Sequence, residues 1–406
     1  MKWNALRTMT GLILLFAAWN GPVLAQGKAP AGESIKIGTT GAMTGPYSEY
    51  GTGMRKAAEL AIELWNAKGG VLGRPLQLVV LDDQLKADVA VLNVKKLVEE
   101  EKVALILGPS GSGPMLATVP LTEAKGIPHM NMMAQTPAIQ YPKGYDKPPR
   151  RNVFSAAIPN DAEAQNLTNF AWKTKGWRRL GIVHESTGYG KTGADLMVEY
   201  MEKELKAKPV GREQYDQKDT DFTAQLARLK KADAQVIISI GLGSDNATIR
   251  KEMNRLGITA PLLGSAGVIS AQYTNLLGDL AVGTYGSLLA TFADPAKFTP
   301  AAREFAAGWL KKFGNDEYYG PDKEPKIYLA IQAGYFDGAN IMIDAVRRAG
   351  STDPKAIIGA LETTDYQGII KRHRFSAQKH QSITAEDLDV LQYVKEGGRL
   401  VLRASK

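Results

Sequence analysis

The sequence predicts an α/β protein with parallel sheets, built from two successive series of strands and helices. With 406 residues the chain exceeds the length that one hydrophobic core usually serves, about 250–300 residues. Short runs rich in β-branched residues alternate with longer amphipathic stretches, which is the pattern of parallel sheets covered by helices. A Pro- and Lys-rich loop, residues 141–151, separates the two series. We therefore expect two lobes.

In the first series each predicted strand is a short apolar run. The helix predicted over 51–68 places Met54, Ala57 and Ala61 on one face. Gly69 ends this helix, because glycine accepts a left-handed conformation. The predicted strands of the first series cover 35–39, 76–81, 103–107 and 127–131. Its predicted helices cover 51–68, 87–100 and 114–125.

The second series repeats this alternation, and a third block follows it. The predicted strands of the second series cover 179–184, 210–214, 236–240 and 261–263. Its predicted helices cover 161–175, 192–206, 222–231 and 244–256. The third block contains a predicted strand and two helices, over 284–290, 300–313 and 325–348. Residues 368–375 and 388–394 are expected to pair like a β-hairpin, and these late segments must return to one of the two lobes.

The first 25 residues have the pattern of a secretory signal peptide. Lys2 and Arg7 make the start basic, and an uncharged, largely apolar run follows over 9–19. Small residues up to Ala25 fit a cleavage site after that residue. The alternative is an uncleaved anchor helix, but the run is shorter than the ~20 apolar residues that a membrane span needs. We expect cleavage after Ala25 and export.

Composition excludes several classes of protein. The absence of cysteine excludes disulfides, thiolate metal sites, catalytic thiols and a lipid-accepting cysteine. Without Lys2 and Arg7 the net charge of +8 falls to +6, and basic residues are interspersed with acidic ones. Such interspersed charges are typical of solvated helix faces, so nucleic-acid binding is disfavoured.

A set of motifs occurs in one order along the chain. They are GAMTGPYSEYG at 41–51, NAKGGVLGR at 66–74, GYG at 188–190, DTDF at 219–222 and GSAG at 264–267. Each is weak alone, but together the succession closely resembles the leucine/isoleucine/valine-binding family of periplasmic solute-binding proteins, the type I receptors of ABC importers. The resemblance runs from about residue 35 to the C-terminus.

This resemblance implies two Rossmann-like lobes joined by three hinge crossings, which close over a ligand. Lobe 1 is then expected to comprise residues 33–154 plus 285–366, and lobe 2 residues 155–284 plus 367–406. We expect a monomer, and because the sequence has no lipid-accepting cysteine we expect it to move freely in a periplasm without a lipid anchor. Its implied partners are a small-molecule carboxylate and an inner-membrane ABC permease.

The first candidate contacts follow two predicted strands of the first series. Ser112 lies where a helix opens, and a helix N-terminus with free N–H groups favours an anion. In the resembled family the residue that aligns with Ser112 binds the ligand carboxylate; the alternative is that Ser112 caps the helix. The family also uses a hydroxyl after the fourth strand, which implies Thr136, or Gln135 if the register differs by one. Met133 in the same loop is either core or a flexible contact.

The remaining candidates decide the ligand class. Tyr50 and Tyr189 fall where the family places aromatic walls, one from each lobe, and the alternative is ordinary packing. The family's amino-acid binders carry a glutamate where Ala266 stands, and Leu242 stands where a tyrosine is common. Alanine cannot pair with a ligand ammonium, and a buried unpaired ammonium is costly. A hydrophobic or aromatic carboxylate is therefore a candidate beside a branched-chain amino acid.

The sequence offers no catalytic apparatus, because no paired nucleophile and base is identifiable. The four histidines show no metal-ligand spacing and are expected at surface or loop positions. We therefore predict a periplasmic substrate-binding component of an ABC importer, with no enzymatic activity, metal or cofactor. The alternatives are a ligand-sensing receptor module and an exported enzyme on the same scaffold.

Overall fold

The structure is a computed structural model that describes residues 32–217 and 219–405. The predicted signal sequence, residues 1–25, lies outside the described residues. The described chain forms two α/β lobes, each around a sheet with a parallel core. This arrangement confirms the predicted fold class.

The strands are short and mostly buried. Those up to the middle of the chain are β1 Ile35–Gly41, β2 Leu76–Asp82, β3 Leu105–Leu107, β4 His129–Asn131, β5 Val153–Ser155, β6 Leu180–Glu185 and β7 Gly211–Tyr215. The later ones are β8 Val236–Ile240, β9 Leu262–Gly264, β10 Tyr285–Leu288, β11 Asp365–Gln367, β12 Arg372–Arg374, β13 Asp389–Glu396 and β14 Arg399–Ala404. Strands β5 and β14 were not predicted.

The helices cover both sheets. They are α1 Ser48–Ala67, α2 Ala87–Glu99, α3 Ser112–Lys125, α4 Asn160–Asn169, α5 Gly188–Glu204, α6 Thr223–Lys231, α7 Gly243–Arg255, α8 Ala271–Leu277, α9 Pro300–Phe313, α10 Leu329–Ala349 and α11 Pro354–Leu361. Helices α8 and α11 were not predicted. Short helices of this kind show only about two turns of apolar periodicity, which is too little to stand out in a sequence.

Two sheets position the loops that face each other. The lobe 1 sheet has the order β2-β1-β3-β4-β5 and is parallel throughout. The lobe 2 sheet has the order β14-β13-β10-β9-β8-β6-β7, and only β13 runs antiparallel to its neighbours in it. In open parallel sheets, ligands bind beyond the carboxyl ends of the strands. Loops after β1, β3 and β4 therefore face those after β6, β8 and β9.

The chain crosses between the lobes three times. The first crossing, residues 156–159, links β5 to α4, which packs on α5 and β10 of lobe 2. The second follows β10 and leads to α9 and α10, which pack on α1 of lobe 1. The third, residues 383–388, leads from a segment beside β5 to β13.

The predicted lobe boundaries differ from the strand pairing at two points. Strand β10, predicted in lobe 1, pairs with β9 and β13 in the lobe 2 sheet, so the second crossing begins after Leu288. Residues 367–382, predicted in lobe 2, attach to lobe 1: Asp337 of α10 accepts the backbone N–H groups of Ile369 and Ile370 at 2.8 and 3.0 Å. The assignment of the other segments to lobes stays a proposal.

The predicted hairpin of residues 368–375 and 388–394 is wrong. Strand β11 pairs instead with β12, and β13 pairs with β14 through a two-residue turn at Gly397 and Gly398. Both glycines have positive φ, +56° and +79°, as a tight hairpin turn requires. The Gly-Gly pair is the sequence signal that would have given the correct partner.

No helix in the described ranges is long and apolar enough to span a bilayer.

Candidate ligand-binding site

A cavity of about 340 Å³ lies between the two lobes, at the carboxyl ends of their strands. Loops from both sheets reach it, as the topology requires. Seven of the eight predicted site residues line this cavity: Tyr50, Ser112, Met133, Gln135, Tyr189, Leu242 and Ala266. Their role in binding a ligand stays a prediction.

Thr136 is the exception, because it lies behind the cavity wall and only 2% of it is exposed. Its hydroxyl donates to the carbonyl oxygen of Gly188, 2.7 Å away in lobe 2. The hydroxyl is therefore used in a contact between the lobes, and Gln135 is the member of the pair that faces the cavity.

Ser112 begins α3 and does not cap it. Gly111 occupies the cap position without a side-chain bond, while the Ser112 Oγ accepts the backbone N–H of Gln135 at 3.0 Å. Ser112 lines the cavity, and in the bonds found for its hydroxyl the oxygen only accepts. Together with the N-terminal N–H groups of α3, this hydroxyl makes this end of the cavity suited to an anion.

The two tyrosines line opposite walls. Tyr50 of α1 accepts the N–H of Gly243 in lobe 2 through its hydroxyl, at 2.9 Å. Tyr189 of α5 donates to Ser265 Oγ at 2.6 Å. The Tyr189 hydroxyl proton is thus used within the protein, whereas the Tyr50 hydroxyl only accepts. Tyr189 offers a ligand the apolar area of its ring, and Tyr50 offers its ring and a hydroxyl proton.

The cavity carries no charged wall. Among its lining residues in the described ranges, none is Asp, Glu, Lys, Arg or His. Leu242 and Ala266 contribute only apolar atoms to the lobe 2 wall. An anion would therefore be held by hydroxyl and N–H dipoles, and an ammonium would find no carboxylate on the lining.

A buried acid nevertheless lies directly behind this wall. Glu163 of α4 accepts the backbone N–H of Ala266 at 2.7 Å and is only 2% exposed. Burial raises the pKa of Glu163 to about 7, although the bonds from Ala266 and the Gln135 amide lower it. Sequence reasoning missed this residue, because it lies 103 positions from Ala266 in the chain.

We predict that Glu163 makes folding stability depend on pH. Its pKa is higher in the folded chain than the ordinary value of 4.5, so it stabilises the fold fully below pH 4.5 and loses this effect as pH rises through about 7. Glu163→Gln should remove up to about 3 kcal/mol of this pH dependence. Urea unfolding between pH 4.5 and 8 measures it.

The comparison must be between variants, since His129 and His380 change stability in the opposite sense. Burial lowers the pKa of both to about 4, so their contribution rises with pH. Exposed Glu304→Gln is the control and should follow the parent curve. Parallel curves for Glu163→Gln and its parent would contradict the assignment.

A second group that the sequence did not reveal joins the lobes beside the cavity. Glu49 of α1 accepts the backbone N–H groups of Ala271 and Gln272, at the start of α8, at 2.9 and 2.8 Å. Burial raises the pKa of this carboxyl to about 7. Tyr47, which directly precedes α1, donates to the lobe 2 residue Asp245 at 3.1 Å. The structure is thus one in which the lobes touch.

The three crossings also line the cavity, a feature that motif reasoning could not find. Ile158, Leu289 and Ile383 come from the first, second and third crossings. They are ordinary aliphatic residues; Ile158 and Ile383 lie outside any predicted element and Leu289 lies near the end of the predicted strand 284–290, so no pattern distinguished them as lining residues.

The prediction that the histidines lie at surface or loop positions is wrong for His129, His184 and His373, which are buried within strands; His380 lies in a loop, but all four are at most 2% exposed. His129, for example, bonds the Thr122 hydroxyl at 3.0 Å inside lobe 1. Within the described residues, no cluster of His, Asp or Glu could hold a metal ion.

Comparison with known proteins gives a consistent result. A family model described as periplasmic binding protein matches residues 34–399. Leu/Ile/Val-binding protein homolog 7 of Brucella suis biovar 1 is 25% identical, over 85% of this chain and 84% of its own. The crystal structure of a periplasmic binding protein type 1 from Bordetella pertussis Tohama I is 42% identical, with a TM-score of 0.87, and covers 92% of this chain and 100% of its own.

A more distant structure shares the fold. It is a solute-binding protein of an ABC transporter from Rhodopseudomonas palustris BisB5 in complex with 3,4-dihydroxy benzoic acid. It is 18% identical with a TM-score of 0.77, and covers 91% of this chain and 96% of its own.

Proposed function

The chain belongs to the periplasmic binding protein family, in its leucine/isoleucine/valine-binding branch, and from this membership we propose that it is the substrate-binding component of an ABC importer. It captures a small hydrophobic carboxylate between its lobes and hands it unchanged to an inner-membrane permease. After cleavage of the signal peptide it acts in the periplasm, as a monomer.

The proposed ligand is a carboxylate without an α-amino group. The observation that carries this choice is the absence of any acidic side chain among the described lining residues. The carboxylate lies at Ser112 and the start of α3, and the apolar part lies between Tyr50 and Tyr189. The relatives support both classes, since one is named for leucine, isoleucine and valine and a structural neighbour holds an aromatic acid.

The proposed mechanism is a population shift between an open and a closed form. A ligand that touches both lobes binds the closed form better and so stabilises it. Bonds such as those of Glu49 to α8 form only when the lobes meet. The ligand and these protein contacts therefore stabilise the same state.

A thermal-shift screen with matched pairs tests the ligand class. The pairs are leucine with 4-methylpentanoate and phenylalanine with 3-phenylpropanoate, which differ only by the α-ammonium group. Because a ligand that binds only the folded state raises Tm, the deaminated member of each pair should raise it more. The primary amides of the two acids, which lack the anionic charge, should give no shift.

Two outcomes would contradict the proposal. Larger shifts with the amino acids would show that the cavity satisfies an ammonium despite its uncharged wall. Equal shifts with the amides would show that no anion site operates at Ser112.

A further inference from the structure

The ligand cavity has a second end, on the side of the three crossings. Five aliphatic residues line it there, and we call them together the hinge chamber. They are Ile158, Leu288, Leu289, Ile370 and Ile383. No polar side-chain atom belongs to this set, in contrast with the hydroxyl and amide groups of Ser112 and Gln135.

Four of the five residues of the hinge chamber pack together, and Leu288 belongs to the neighbouring core cluster, against which Ile158 and Ile370 also pack. Leu289 and Ile383 belong to one apolar cluster, and Ile158 and Ile370 pack against that cluster. Each of the three crossings contributes at least one of these residues, so the chamber forms only where all three come together. An apolar surface of this kind is best removed from water by an apolar ligand group.

Helix α10 leaves room beside the chamber. Ala330 and Gly334 both line the cavity, and residues four apart lie on the same face of a helix. A Cβ atom placed on Gly334 would meet only Ile370 Cδ1 within 4 Å, at 3.3 Å. Two residues with almost no side chain therefore border the aliphatic wall and leave it accessible.

We propose that the hinge chamber is a second, apolar subsite, which holds the distal part of a monocarboxylate whose ring or chain extends beyond a branched-chain side chain. The inference rests on the proposed function, because the carboxylate at Ser112 fixes the near end of the ligand. The hinge chamber would make affinity depend on the length of the ligand, which the carboxylate site alone does not do.

The test is a series of ω-phenyl carboxylates of increasing length, titrated by calorimetry. The series is benzoate, phenylacetate, 3-phenylpropanoate and 4-phenylbutanoate. Each added methylene that enters the chamber should tighten binding about fourfold, by the usual free energy of burying such a group. Affinity should stop rising once the chamber is full.

A variant that fills the chamber makes the test specific. Gly334→Leu adds a side chain on the α10 face that lines the cavity, at a position whose φ is not in the left-handed region. The affinity for 4-phenylbutanoate should fall about tenfold or more, because the new side chain occupies the space that the ligand needs. The affinity for benzoate should remain unchanged. Leucine favours a helix more than glycine, but Gly334 is buried and its Cβ would lie 3.3 Å from Ile370 Cδ1. Circular dichroism and unchanged benzoate binding therefore serve as the check that the variant keeps the fold.

Gly359→Leu is the matched control. Gly359 lies in α11, away from the cavity lining, and open space surrounds its Cβ position. This variant should bind every member of the series as the parent does.

Three outcomes would overturn the inference. Equal affinities along the series would contradict the assignment of the hinge chamber as a subsite, and so would an equal loss of affinity for short and long ligands in Gly334→Leu. Both outcomes leave the proposed function intact. Failure of every carboxylate to bind contradicts the proposed function, and the hinge chamber with it.

Discussion

Replacement of Glu49 by alanine should weaken ligand binding about tenfold at pH 5, and by less at pH 8. The change removes the carboxyl that accepts two N–H groups from α8, and each such bond is worth about 0.5–1.5 kcal/mol to a neutral group. At pH 5 the buried carboxyl is neutral, since burial raises its pKa to about 7. At pH 8 it is ionised, and relief of its desolvation then opposes the loss of the two bonds. A smaller closed fraction lowers apparent affinity in proportion.

Calorimetry and small-angle scattering measure this effect together. Ligand-saturated Glu49→Ala should keep a larger radius of gyration than the saturated parent. Glu59→Ala is the control, because Glu59 lies on the same helix but pairs with Arg55 at 2.7 Å within lobe 1. An unchanged dissociation constant for Glu49→Ala would show that the contact does not contribute to closure.

The double variant Ala266→Glu/Glu163→Gln should reverse the preference between leucine and 4-methylpentanoate. The new carboxylate lies on the cavity wall, where it can pair with an ammonium, and such a charge-assisted bond is worth about tenfold to a hundredfold in affinity. Glu163 is neutralised in the same variant, because it bonds to Ala266 N–H and would repel the new group. Calorimetry with both ligands gives the ratio.

Ala266→Gln/Glu163→Gln is the matched control, since it has the same size without the charge. It should keep the parent's preference for the deaminated acid. If both double variants favoured leucine equally, shape would determine the preference, and the interpretation of Ala266 would be wrong.

The fold could be predicted because its signals are local. Strands β1 and β8 are apolar runs, and α1 has an apolar face ended by glycine. Positions such as Ser112 and Gln135 could be found through the family resemblance, and they agree with the rule that residues following neighbouring strands of a parallel sheet meet at one edge.

The rest could not be predicted, because it depends on contacts between distant parts of the chain. Glu49 meets Ala271 across 222 positions. The lining residues Ile158 and Ile383 have no distinguishing chemistry and line the cavity only because the crossings converge there. Thr136 was chosen by type, but its buried hydroxyl bonds Gly188 instead.

The convergence of the three crossings has a consequence for transport. In the proposed closure, the segments that bend are also the segments that touch the far end of the ligand. A molecule too long for the space would hold these segments apart, and Glu49 would stop short of α8. A ligand could then bind with high affinity and still not be transferred to the permease. An oversized carboxylate of this kind would act as a competitive inhibitor of uptake.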